Sequence, residues 1–329
     1  MKSSSIDAGW SVVVCAYTFD RLELTSACIQ AVLAQPERPE VIVVTDHNDD
    51  LGEALRTRFP GVTVIPNSQR RGLGGARNSG VEAASRDLVA FVDDDAEPSP
   101  SWLAGLAAGF RDRRVVAVGG DAQPVWEGAP PAWFPDEYLW VVGCSYRGMA
   151  RDGSVRNPLG CNMAFRRHVL VTVGGFDQTL GRIGNVPFGL EETELCVRLI
   201  KADPLARIVI VPDATVRHHV PPGRQRPIYF LQRCFYEGVG KAQLRHLASS
   251  AALSSERSYA LRVLPAAVLR EVGGAIRLDR PLSRLSRAGA IIGGLGAAAA
   301  GYAWGRLRSS RLTGGSQARA EPAIVPPDD

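Results

Sequence analysis

Apolar positions along this chain fall into short unbroken runs, separated by stretches with helical spacing. The first runs are Ser11-Val12-Val13-Val14-Cys15 and Glu40-Val41-Ile42-Val43-Val44-Thr45. Val62 to Ile65, Leu88 to Val92 and Val115 to Val118 follow. These runs lack the alternation of a half-exposed strand, so they predict strands covered on both faces in a mainly parallel sheet. Between the first two, Leu22, Ile29, Val32 and Leu33 recur near a helical period, and residues 51–59, 76–84 and 101–110 read as further helices. Ser99 and Pro100 predict an N-cap and a first helical position. Repeated strand–helix units predict an α/β domain with a doubly wound sheet.

From 121 to 160 the pattern loosens. Prolines and aromatic residues such as Trp126, Trp133, Tyr138 and Trp140 interrupt it, which predicts a long binding loop with short strands. Residues 161–172 and 192–202 read as helices. Arg207 to Val211 reads as a late strand with His218-His219 beyond its end, and 228–270 as helical. Ala288 to Trp304 carries no charge over 17 positions but is rich in Gly and Ala. That is too weakly hydrophobic for a spanning helix, which needs roughly 20 predominantly apolar residues. It fits a helix docked on the body or one lying at a membrane interface, with Arg284, Arg287, Arg306 and Arg308 at its ends.

Composition narrows the partners. A formal net charge of +4 over 329 residues gives no reason to expect nucleic acid. The charge is uneven, however. From Glu256 to Arg311 there are ten Arg and no Lys against three acids, and the rest of the chain has 28 basic against 31 acidic residues. A basic, helical C-terminal extension on a near-neutral body points to an acidic surface, anionic lipid among the options. The six cysteines form no C-x-x-C pair, which favours buried free thiols. No apolar stretch follows Met1, so a cytoplasmic location is expected, peripheral at the inner membrane face if the extension binds lipid.

Chemistry concentrates where predicted strands end. Asp93-Asp94-Asp95 closes the run Leu88 to Val92, so a strand delivers carboxylates to an exposed sheet edge, where ligands of open α/β sheets sit. Such hard oxygen donors suit Mg²⁺ or Mn²⁺, and a divalent ion can neutralise a diphosphate. Tyr17 ends the first strand and Asp46 the second; a ring can stack on a nucleobase and a carboxylate can accept from its N–H. The basic, Gly-rich stretch Arg70 to Asn78 can offer N–H groups and guanidinium to phosphates. It matches neither the dinucleotide fingerprint, where Arg77 stands in the third glycine position, nor a P-loop. Glu191-Glu192-Thr193-Glu194 opens a helix, where acids are favoured by the dipole and could also supply a general base. Of His218 and His219, one imidazole could complete a metal shell or contact phosphate.

In this order the elements resemble inverting glycosyltransferase family 2, over roughly residues 10 to 245. The matching stretches are Val12 to Tyr17, Asp46, Gly72 to Gly80, Leu88 to Pro98 with Trp102-Leu103, Gly160 to Arg167, Gly174 to Asp177 and Glu191 to Leu195. The resemblance implies a GT-A fold with a catalytic domain over 8–245; composition adds a basic Ala/Gly-rich helical extension over 246–311 and a disordered tail over 312–329. It implies that Tyr17 and Asp46 hold the base and Arg71 the base or phosphates. Asp93, Asp94 and Asp95 would face the donor. Asp93 and Asp95 would hold Mn²⁺ or Mg²⁺, with His218 a later contact and His219 its fallback. Gly160 to Met163, Asn162 included, would line the sugar and acceptor pocket. The chain departs from the usual pattern twice. Glu191-Glu192 replaces Glu-Asp, with the base assigned to Glu192 by position and Glu191 or Glu194 as substitutes. His47-Asn48-Asp49 replaces the serine after Asp46.

The expected reaction is one in-line displacement. Glu192 takes the acceptor proton, and the hydroxyl attacks the anomeric carbon opposite the leaving nucleotide. A UDP or dTDP sugar suits the Tyr17/Asp46 pair; the acceptor hydroxyl belongs to a lipid-linked sugar, a glycan or a small molecule. Two rivals remain at this level: a nucleotidyltransferase on a similar sheet, and a membrane-associated scaffold without turnover.

Overall fold

The computed structural model describes residues 9–150, 154–179, 189–244 and 258–313. Eight strands form one sheet: β1 (Trp10–Ala16), β2 (Glu40–Thr45), β3 (Thr63–Pro66), β4 (Leu88–Asp93), β5 (Ala96–Pro98), β6 (Val115–Trp126), β7 (Asn162–Arg166) and β8 (Arg207–Val220). Their order is β3-β2-β1-β4-β7-β6-β8-β5. The first four are mutually parallel and β6 is parallel to β8. β7 runs antiparallel to both its neighbours and β5 antiparallel to β8. The sheet is the mixed, mostly parallel one expected.

Each central strand splits its side chains between two cores, because successive residues point to opposite faces. Val12 and Val14 pack with α1 (Leu22–Leu33), α2 (Asp49–Arg58) and α4 (Trp102–Gly109), through Ile29, Leu55 and Trp102. Val13 joins the opposite core, with α3 (Leu73–Ala83), α5 (Arg167–Thr172) and α6 (Glu191–Ala202), through Val81, Leu170 and Leu195. This is why the apolar runs show no alternation. Asn48, in the unusual stretch after Asp46, caps α2 by accepting from Leu51 N at 3.1 Å.

Several expectations are corrected. Residues 161–172 are a strand followed by a short helix, because β7 inserts between β4 and β6 and is buried by both cores; tertiary context overrides the helix formers Met163 and Ala164. Ser99 is no N-cap: Trp102 N donates to Ser99 O at 3.0 Å, closing a turn, and α4 starts at Trp102. His218 and His219 lie within β8, which runs on to Val220. The stretch read as helical over 228–270 contains α7 (Pro227–Leu244) and, after the turn Tyr259–Val263, the start of α8 (Leu264–Ile276). Residues 245–257, part of the predicted extension, and the predicted tail beyond 313 lie outside the described residues.

The extension docks on the body. α9 (Pro281–Thr313) lies along α7, and glycines set the spacing. A Cβ on Gly301 would collide with the Phe235 carbonyl oxygen, and one on Gly238 with that of Ala298. A third core, from Phe134, Val142, Phe230, Leu264 and Ile291, joins α7, α8 and α9 to the 3₁₀ turn Asp136–Val142. Buried Glu137 meets Arg270 at 3.0 Å, and Tyr138 OH donates to Ile291 O at 3.1 Å. Gly301→Val should therefore force α7 and α9 apart and cost about 2 kcal/mol, read as a lowered urea midpoint; an unchanged midpoint would refute this account of the packing.

Candidate active site

β4 ends at Asp93, and the chain turns through Asp94 and Asp95 into β5. The β5–β8 register sets Ala96 opposite His218, and His219 N donates to Asp95 O at 2.8 Å. That pairing brings His218 Nε2 to 3.2 Å from Asp95 Oδ1. Behind the ring, Cys144 Sγ lies 3.6 Å from Nδ1, and Gly143, at φ 81°, leaves room for Cε1. His219 points elsewhere, to Glu127 at 3.5 Å. Donor atoms of Asp93, Asp95 and His218 all lie within 4.8 Å of one another.

Three arginines close on the same carboxylates. Arg21 Nη1 bridges Asp94 Oδ1 at 2.8 Å and Asp95 Oδ2 at 3.1 Å, and its guanidinium also lies over the Tyr17 ring. Arg224 Nη2 reaches Asp95 Oδ2 at 3.4 Å. Arg77, buried on α3, donates Nη1 to Glu191 Oε1 at 3.1 Å. Its Nη2 serves Gly160 O at 3.0 Å and Asp93 Oδ1 at 3.4 Å. Burial alone would raise Asp95, but His218, Arg224 and Arg21 together hold it well below the usual carboxylate range. Asp94 is pushed up to about 7 by burial and by Asp95, against the pull of Arg21. Burial lowers the His218 imidazole, yet Asp95 and Cys144 carry it up to about 10. Asp94 Oδ2 is buried without a hydrogen-bond partner among the described residues, while Asp95 Oδ2 is met by the ion pairs to Arg21 and Arg224. Hard carboxylate oxygens clustered beside an imidazole fit a divalent cation.

The acids of α6 separate clearly. Glu191 is buried, paired with Arg77, and accepts from Leu190 N at 3.0 Å. Glu194 is tied to Arg198 at 2.6 Å, and Arg198 also grips the carbonyls of Val173 and Gly175. Glu192 is half-buried and is raised to about 7 by burial and by Glu191, partly offset by Arg77.

The remaining expected residues are placed as follows. Tyr17 is 44% exposed at the end of β1. Asp46 accepts from Gly72 N at 2.9 Å and Asn67 Nδ2 at 2.7 Å, and meets His47 Nδ1 at 3.0 Å. Arg71 is exposed beside it. Asn162 is corrected: fully buried, it gives its amide to Asp121 O at 2.9 Å and Ala214 O at 2.8 Å and accepts from Trp102 Nε1 at 2.8 Å. It braces the sheet, and Met163 lies in the core, whereas Gly160 meets the charged cluster through its carbonyl. Two glycines of α3 serve packing. A Cβ on Gly75 would strike the Arg70 carbonyl and one on Gly80 the Val13 side chain.

Sequence reasoning missed Arg21, Arg77 and Arg224 as partners of the acidic triplet. Arg77 left a signal: a cation in the first turns of a helix opposes the macrodipole, and residues that break a local rule mark sites. Arg77→Met would leave Asp93 and Glu191 without their buried counter-charge. It should cost about 3–5 kcal/mol in urea unfolding, with Arg77→Lys in between; wild-type stability of the Met variant would contradict this role.

Comparison with known proteins agrees with this geometry. The family described as Glycosyl transferase family 2 matches residues 11–174. The glucosyl-dolichyl phosphate glucuronosyltransferase of Haloferax volcanii is 30% identical over 303 residues, covering 90% of this chain and 96% of that protein. The succinoglycan biosynthesis protein ExoM of Rhizobium meliloti is 27% identical over 238 residues, covering 70% and 73%. The mannosyltransferase PcManGT of Pyrobaculum calidifontis, solved with GDP-Man and Mn²⁺, superposes with a TM-score of 0.59 at 20% identity, over 90% of this chain and 87% of its own. The nucleotidyltransferase and scaffold readings therefore fall away, and the chain belongs to glycosyltransferase family 2, whose members invert the configuration of the transferred sugar.

Proposed function

We propose that this transferase moves a sugar from a nucleoside diphosphate, with UDP or dTDP favoured, to the hydroxyl of a lipid-linked acceptor, and that it uses Mn²⁺ or Mg²⁺. The observation that carries the reading is the convergence of Asp93, Asp95 and His218 at the carboxyl edge of β4, beside Tyr17 and the arginines. The lipid-linked acceptor is favoured by similarity to the Haloferax relative, named for a glucosyl-dolichyl phosphate.

In this reading Tyr17 stacks on the base, and Asp46 offers its remaining lone-pair site to a base N–H while its other contacts pin the loop at Gly72. Asp93, Asp95 and His218, its imidazole giving up its proton as the ion binds, would hold the ion, which when bound neutralises charge on the leaving diphosphate. Arg21, Arg224 and the exposed Arg71 offer guanidinium to the phosphate oxygens. Glu192 takes the proton from the acceptor hydroxyl. Of the three acids opening α6, Glu191 and Glu194 are tied up by arginines, and Glu192 is tuned to about 7, where a general base works best near neutral pH.

Calorimetry with UDP and dTDP, with and without Mn²⁺, tests the donor site. The wild type should bind one of them in a metal-dependent way, and Asp95→Asn should lose that dependence; equal affinity in both proteins would refute the metal assignment. The base is tested by kinetics. Because Glu192 must be ionised, kcat should rise about tenfold per pH unit below 7 and level off above it. Glu192→Gln should lower kcat by about 10²–10⁴ and flatten that limb while donor affinity survives. A Gln variant that keeps the limb would move the base to another residue.

A further inference from the structure

Helices α8 and α9 bury one side and leave an apolar side to solvent. In α8, Leu264, Ala267, Glu271 and Ala275 face inward, whereas Leu269 and Ile276 point out. In α9, Ile291, Gly294, Gly301 and Gly305 are buried. Its exposed stripe is Leu282, Leu285, Gly289, Ile292, Gly296 and Ala299, a three-and-four spacing along one helix side with no polar residue in it. Leu261, Leu269, Ile276, Leu278 and Leu282 are between 72 and 83% exposed. So many large apolar side chains gathered on consecutive helices mark an interaction surface.

The charge around this face identifies its partner. Arg262, Arg277, Arg280, Arg306 and Arg308 are exposed on α9 and on the turns that flank α8. Asp279, bound to Arg284, is the one exposed acid between residues 258 and 308. A second copy of the chain would meet this face by two-fold symmetry, arginine against arginine, with Asp279, already bound to Arg284, as the one exposed acid of the segment. A lipid surface has the opposite charge and an apolar interior below it. No helix among the described residues is long and apolar enough to cross a membrane, so the helices would lie in the interface. We infer that the outer face of α8 and α9 docks on an anionic bilayer, its leucines in the acyl boundary and its arginines among the headgroups. This docking needs no turnover, so its test reads binding alone.

Flotation of the full-length chain with phosphatidylcholine vesicles, with and without phosphatidylglycerol, decides the matter. The wild type should float with the anionic vesicles, about a hundredfold or more less with the neutral ones, and less as added salt screens the charges. Leu269→Glu with Ile276→Glu should cut partitioning by about tenfold or more, and Arg262→Gln with Arg277→Gln by about twenty-five-fold, at roughly fivefold per arginine. All four side chains are exposed, and unchanged thermal melting would show that the variants fold. Wild-type protein that stays with the pellet, or variants that float as well as wild type, would overturn the inference. So would a dimer in light scattering that Leu269→Glu/Ile276→Glu dissociates in the absence of any flotation, which would assign the face to a second copy.

Discussion

Adjacent carboxylates can be buried at a sheet edge only if counter-charges arrive from elsewhere in the chain, because an unpaired buried charge costs several kcal/mol. Here Asp93, Asp94, Asp95 and Glu191 are met by Arg21, Arg77, Arg224 and a protonated His218. Each partner comes from a different element: the start of α1, the body of α3, the loop after β8, and β8 itself. The cluster therefore ties both halves of the sheet together at their functional edge. It also explains β5: a short antiparallel strand is what sets His218 beside Asp95.

How legible this was depended on the range of the interaction. Asp93 to Asp95, Tyr17 and Asp46 were readable because each follows its own strand, so local pattern alone placed them on the binding edge. Which of the acids opening α6 is left without an arginine hydrogen bond was not readable, since that depends on Arg77 and Arg198, one from another helix and one folded back onto a neighbouring turn. Asn162 was expected in the pocket because the family resemblance carries Gly160 to Met163 there as one stretch. Its real task, bridging Asp121, Ala214 and Trp102, exists only once β7 is threaded between β4 and β6. The strand itself was mistaken for a helix for the same reason: nothing local says that two neighbours bury both its faces.

The C-terminal helices are linked to the site through packing. Glu137 and Tyr138, held by Arg270 and by the Ile291 carbonyl, belong to the 3₁₀ turn that runs directly into Gly143 and Cys144. Those two residues form the wall behind the His218 ring. One side of the extension thus supports the imidazole, while the other carries the apolar stripe. The same Gly and Ala content that made Ala288 to Trp304 too weakly hydrophobic to span a bilayer is what lets α9 approach α7 closely.

The charge balance at the strand tip also bears on the order of binding in the proposed reaction. With His218 protonated, the carboxylates and cations named above nearly cancel. A divalent ion arriving alone adds positive charge to a pocket already supplied with guanidinium groups, and a diphosphate arriving alone adds negative charge beside the aspartates. Arriving together, the two cancel much of each other's charge before the protein must respond. Arg21 and Arg224, which pair with the aspartates in the structure, would be free to turn to phosphate oxygens at the same edge if an ion took their place. A cluster that balances its own charge without ligand is in this way suited to accept an ion and a nucleotide as a pair and to hold either one less well alone.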